Sequence, residues 1–165
     1  QQVIQTIGGG ICKIATTLYN VAILANLEII ERRAHSMLVP YVPPGQDATI
    51  TQYKDFRFRN NTEAPIIIWA DTKEDTLYIA LYSQKKPPKV TWRHEVINRR
   101  KTNTIYRNNP HLKPGEEKVI LPGADGMQVR SWITIEYADG ETVTNKLGTD
   151  YYYPMPRIIE RNAQR

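Results

Sequence analysis

One stretch of this 165-residue chain carries clear helical spacing. After the triplet Gly8-Gly9-Gly10, apolar residues recur at Ile11, Ile14, Ala15, Leu18, Ala22 and Ala25. That is the 3.6-residue repeat of a helix with one buried face. The glycines allow a tight turn that residues bearing a Cβ resist, and Asn26 suits the left-handed residue that ends a helix. Beyond it the chain reads as β. Leu27–Arg33 is a strand, Phe56-Arg57-Phe58 alternates, Ile66–Ala70 reads as a buried strand, and Leu77–Tyr82 follows a polar turn. Val90 to Tyr106 is extended, Val129 to Tyr137 alternates, and Asp139-Gly140 is a hairpin signal. The run Val39-Pro40-Tyr41-Val42-Pro43-Pro44-Gly45 is excluded from a sheet interior, because proline donates no ladder hydrogen bond; a stiff exposed loop is expected there. These patterns predict an α+β fold: one N-terminal helix packed on an antiparallel sheet, followed by a small, mostly β domain.

The polar segment Ser83–Lys89, with its diproline, is the expected linker. It divides the chain into residues 1–84 and 90–165. No run of membrane-spanning length is present, and the chain begins at Gln1 rather than Met. It is therefore read as the later part of a longer protein, with any membrane anchor carried by a missing upstream segment. The net charge of +5 comes from scattered basic residues with no arginine-rich, aromatic-interleaved run, which argues against nucleic acid as a partner. A single cysteine excludes an internal disulfide framework. It fits a reducing compartment and equally the cysteine-poor surface proteins of many Gram-positive bacteria.

That cysteine, Cys12, sits where the helix begins, and the helix dipole and unpaired amides there lower a thiol pKa. Cys12, then a strand, then His35, then Asp47 follows the chain order of papain-like and transglutaminase-like thiol enzymes. In that reading Cys12 attacks a carbonyl, His35 moves its proton, Asp47 orients the imidazole, and amides near Ile11 and Cys12 form an oxyanion hole. Each residue also has a plainer reading. Cys12 serves as a small buried side chain, His35 as a turn histidine capping Ser36 or the helix, and Asp47 as a turn acid after Gly45. Gly9, Gly10, Tyr41 and Arg57 are assigned to substrate binding, with an exposed edge-strand charge as the alternative for Arg57. Cys12, His35, His94 and His111 lack zinc spacing, so neither metal nor cofactor is expected. Trp92, Trp132, Tyr137, Tyr151, Tyr152 and Tyr153 offer a sugar-stacking surface or, for half or more of them, the core of a small β domain.

The chain resembles the VanW-like proteins, named for an accessory protein of some vancomycin-resistance clusters. The resemblance rests on Gly8–Cys12 leading into Thr16–Asn20, then Leu27-Glu28-Ile29, Glu31-Arg32, His35-Ser36, Tyr41–Gly45 with Asp47-Ala48-Thr49, Asp55–Phe58 and Asn60-Asn61-Thr62. The second half, from Lys113-Pro114-Gly115 through Tyr137–Gly140 to Leu147-Gly148, resembles a glycine-patterned β module appended to surface and cell-wall proteins. Lys13 and Ala15 stand where the family pattern has Gln directly after the cysteine and Ser two residues beyond. The resemblance implies a bacterial envelope protein on the outer face of the membrane or in the cell wall, associated with glycopeptide resistance. Its partner would be peptidoglycan or another wall polymer. Two functions are expected from the residues: cleavage or exchange of peptidoglycan peptide amides through Cys12, or, alternatively, non-enzymatic binding of peptidoglycan or glycan.

Overall fold

The computed structural model describes residues 10–163. Helix α1 spans Ile11–Leu24. Ten strands follow among the described residues: β1 Glu28–Glu31, β2 Arg57–Arg59, β3 Ile66–Lys73, β4 Thr76–Ser83, β5 Lys89–Arg100, β6 Thr104–Asn108, β7 Glu117–Leu121, β8 Gly126–Glu136, β9 Thr142–Tyr152 and β10 Arg157–Arg161. They form two antiparallel two-stranded sheets, β1-β2 and the hairpin β3-β4, and two three-stranded sheets, β5-β8-β9 and β6-β10-β7. The β6–β10 pairing is parallel.

The expected α+β fold, one helix on an antiparallel sheet, is overturned: 51% of the described residues are in strands or bridges, 9% are helix, and the strands divide among four small sheets. The physical reason lies in what covers the helix. Its buried stripe is narrow, comprising Ala15, Thr16, Tyr19, Ala22 and Ile23. It is met by Ala48, from a segment without strand structure, and by Ile133 and Ile135 of β8. The Ile66–Ala70 run is also corrected. It is a strand, but one that exposes Ile67 at 67%, together with Ile68 and Trp69: α1 packs beside its partner β4 and leaves these side chains of β3 in solvent. A short apolar run does not by itself reveal whether a second layer covers it.

The chain forms two compact units. One comprises the described residues up to His35, then Val39–His94 and Ser131–Gly148. Its core joins Ala15, Tyr19 and Ile23 to Ala48, Ile133 and Ile135, with Phe56 and Trp92 packed against it. Tyr19 meets Phe56 and Trp92 edge-on, at centroid separations of 5.6 and 5.2 Å, the arrangement favoured by ring quadrupoles. Helix α1 stops at a Schellman motif: Asn26 adopts φ 55°, its N–H reaches the Ile23 carbonyl at 3.0 Å, and the Leu27 N–H reaches that of Ala22 at 2.9 Å. The buried Leu27 then turns the chain into β1.

The other unit comprises Ser36–Leu38, Glu95–Arg130 and the residues from Thr149 onward. Strand β8 is shared by the two units: Val129 belongs to this one and Ser131, Ile133 and Ile135 to the other, and all four are buried while their neighbours are less so, the period of two that a pleated strand imposes. At the start of this strand Gly126 lies against backbone: a Cβ there would stand 2.6 Å from both the Pro154 nitrogen and the Tyr152 carbonyl oxygen. Neither atom belongs to a flexible side chain, so the backbone must shift to admit one. Gly126→Ala is expected to destabilise the protein by roughly 1–3 kcal/mol. Thermal unfolding would then show a drop of about 3–10 °C; an unchanged melting temperature would refute the close approach.

Candidate active site

Cys12 is the second residue of α1, after Gly10 at the N-cap. The Lys13 and Ile14 amides both donate to the Gly10 carbonyl, at 3.0 and 3.2 Å. The Ile11 and Cys12 amides precede the first helical bond and have no acceptor within the helix. Four and eight residues on from Cys12 come Thr16 and Asn20, so the three side chains share one helical face. That polar stripe grips the segment 46–50 along its length. Asn20 Nδ2 donates to the Gln46 carbonyl at 2.8 Å. Thr16 Oγ1 donates to the Ala48 carbonyl at 3.2 Å and accepts from the Ala48 amide at 3.0 Å. Cys12 Sγ accepts from the Ile50 amide at 3.5 Å, lies 3.6 Å from the Ile50 carbonyl and stands 3.9 Å from Thr49 Oγ1.

Asp47 lies in the gripped segment and is fully buried, at 0% exposure. It is delivered there by a turn at Pro43-Pro44-Gly45-Gln46, closed by the Gln46 amide on the Pro43 carbonyl at 3.1 Å. Gly45 takes φ 90°, the left-handed value of a type II turn with proline before it. An unpaired carboxylate in this position would be costly, and Asp47 is paired on both oxygens. Oδ1 accepts from Arg32 at 3.2 Å; Oδ2 accepts from the His35 backbone amide at 2.6 Å and lies 2.7 Å from His35 Nδ1. Arg32 Nε also donates to the Asp47 carbonyl at 2.6 Å, and its guanidinium lies 5.0 Å from the centre of the Tyr19 ring.

The carboxylate fixes the chemistry of the histidine. With Nδ1–H donated to Asp47, Nε2 is the nitrogen left to exchange a proton. The Asp47 hydrogen bond raises the His35 pKa above its ordinary value, against a smaller opposing effect of burial, with Cys12 adding to the rise. Burial alone would push the Cys12 thiol up. It is outweighed by the hydrogen bonds from the Ile50 backbone, His35 and Thr49 and by the His35 charge, so the thiol is more acidic than usual. Two groups that shift each other toward thiolate and imidazolium are what a nucleophile and its base require.

Of the residues singled out in the sequence, Cys12, His35 and Asp47 come together in one cluster. Tyr41 joins its rim: its ring meets the His35 ring edge-on at 6.3 Å, and burial raises its phenol pKa. Gly10 is the N-cap; Gly9 lies outside the described residues. Arg57 lies on β2 and is exposed, with its Nη1 4.0 Å from Glu31 Oε2 across the β1–β2 pair. His94 is on β5 and His111 follows β6. Among the described residues, no group of three or more His, Cys, Asp and Glu side chains is placed to hold a metal ion. Arg32, Thr16, Asn20 and Thr49 stood in the sequence only as parts of motifs, with no role at the site. The i, i+4, i+8 spacing of Cys12, Thr16 and Asn20 was the available signal, a polar stripe set beside the apolar one.

Comparison with known proteins gives the site its setting. Residues 1–82 match the family model "VanW like protein", and residues 92–164 match "G5 domain". The uncharacterized protein YoaR of Bacillus subtilis (strain 168) is 46% identical over 78 residues, covering 47% of this chain and 26% of YoaR. The chain thus spans about a quarter of that relative's length. Two solved structures are similar to part of it. The G5 domain of IgA1 protease is 24% identical, with TM-score 0.30, over 47% of this chain and 94% of that one. The HP0197 G5 structure is 19% identical, with TM-score 0.26, over 44% and 97%. The chain belongs to the VanW-like proteins through residues 1–82 and carries a G5 domain at residues 92–164.

Proposed function

We propose that the VanW-like segment is a cysteine-dependent acyl-transfer enzyme acting on peptide amide bonds of peptidoglycan. The observation that carries the reading is the buried Asp47 holding His35 Nδ1 at 2.7 Å while His35 and the Ile50 amide acidify Cys12. In this mechanism Nε2 of His35 takes the Sγ proton and the thiolate attacks the amide carbonyl carbon. The new C–S bond leaves a negative oxygen, to which the unpaired Ile11 and Cys12 amides at the start of α1 would donate. Collapse breaks the C–N bond, and the imidazolium gives its proton to the departing amine. The thioester is then released by water, giving hydrolysis, or by a second amine, giving a new cross-link.

The G5 domain is assigned the role of holding the protein on wall polymer, which is also the ground of the non-enzymatic reading. Together the two segments support a cell-envelope protein working outside the membrane. A contribution to glycopeptide resistance would follow from altered wall peptides. No helix among the described residues is long and apolar enough to cross a membrane.

Alkylation by iodoacetamide tests the nucleophile. The rate follows the thiolate fraction, so a depressed thiol pKa moves the midpoint of the pH profile below that of an ordinary cysteine. His35→Ala is expected to move it back up; a Cys12 inert until the protein unfolds would sink the enzyme reading. Asp47→Asn is expected to lower turnover on purified peptidoglycan by about 10²–10⁴-fold through the wrong imidazole tautomer. Sedimentation with purified peptidoglycan tests the G5 assignment. Retention at moderate salt by the Cys12→Ala protein is expected, and loss of retention would refute it.

A further inference from the structure

This inference rests on the acyl-transfer reading above and narrows it to a class of substrate. The charges around Cys12 can be balanced by name. Asp47 is matched by Arg32 and His35, and a Cys12 thiolate is matched by the His35 imidazolium that its deprotonation creates. The first turn of α1 contains no acidic side chain, while its outward amides add partial positive charge. Lys13, directly after the nucleophile, is exposed and forms no ion pair among the described residues. Its ammonium lies 5.7 Å from the centre of the Tyr41 ring, the same ring that meets His35 edge-on at 6.3 Å. Tyr41 is thus the shared neighbour of an exposed ammonium without an ion pair and of the His35 imidazole, at the rim of the site.

We propose that Lys13 is a specificity-determining residue, selecting acyl donors that carry a carboxylate next to the scissile amide. An ammonium over an exposed aromatic face gains little from the ring in water, so its charge stays available to a ligand. A carboxylate arriving there meets the ammonium on one side and the helix amides on the other. A neutral donor leaves both unanswered.

Two alkylating probes test this on the full chain. Iodoacetate and iodoacetamide each form an S–CH₂ bond with Cys12 and expel iodide. Both rates scale with the thiolate fraction, so their ratio is insensitive to any change in Cys12 acidity. Only iodoacetate presents a carboxylate beside the reacting carbon. Lys13→Gln is expected to lower the iodoacetate-to-iodoacetamide rate ratio by about 3–10-fold at low salt. Lys13→Arg is expected to keep the ratio, and raised salt to shrink the difference. A ratio unchanged in Lys13→Gln, with Cys12 still reactive, overturns the role of Lys13 and leaves the thiol enzyme standing. A Cys12 that alkylates only in the unfolded protein overturns both.

Discussion

The buried carboxylate of Asp47 is the interaction on which the front of this molecule depends. A charge removed from water is tolerated only when its lone pairs are answered, and here the answers come from the segment Arg32–His35 just after β1. Arg32 and His35 flank the end of β1, while Asp47 itself arrives from a proline turn and is pressed against α1. Satisfying one ion therefore registers a strand, a loop and a helix against each other. The His35 ring is oriented in the same act, so its geometry and the local fold have a common cause.

The helix contributes two faces to this arrangement. One is apolar and joins the core through Tyr19 and Ile23. The other is a line of hydrogen-bonding side chains, Cys12, Thr16 and Asn20, that treats the 46–50 segment almost as a neighbouring strand would. The loop stays irregular in conformation yet has its backbone groups satisfied by side chains, as a buried segment requires. The thiol stands at one end of this line. Its place in the site is thus set by the same spacing that holds the loop.

Much of this was legible in the residues alone. The helix, its end at Asn26 and the Asp-Gly hairpin follow from local chemistry, because φ preferences and periodicity act over a few residues. The order Cys12, His35, Asp47 was legible as a constellation. What failed was the layer structure. Sequence spacing showed that Ile66–Ala70 is a strand but not that Ile67, Ile68 and Trp69 stand exposed, and it gave the helix one sheet to rest on where a loop and strands of several small sheets serve instead. Arg32 was invisible for the same reason: a charged residue at a strand end is usually solvated, and only the position of Asp47 in space turns it inward. Long-range pairing, not local preference, decided each of these.

The scattered origin of the cluster has a consequence for the life of the chain. Cys12, His35 and Asp47 lie in separate segments, and the influences that acidify the thiol exist only when those segments meet. A newly made or still unfolded chain carries an ordinary thiol, mostly protonated at neutral pH and slow to react. Completion of the fold arms it. The lowered pKa of the thiol is therefore a property of the folded segments together, set by the distance along the chain between Cys12 and the buried acid that orients His35.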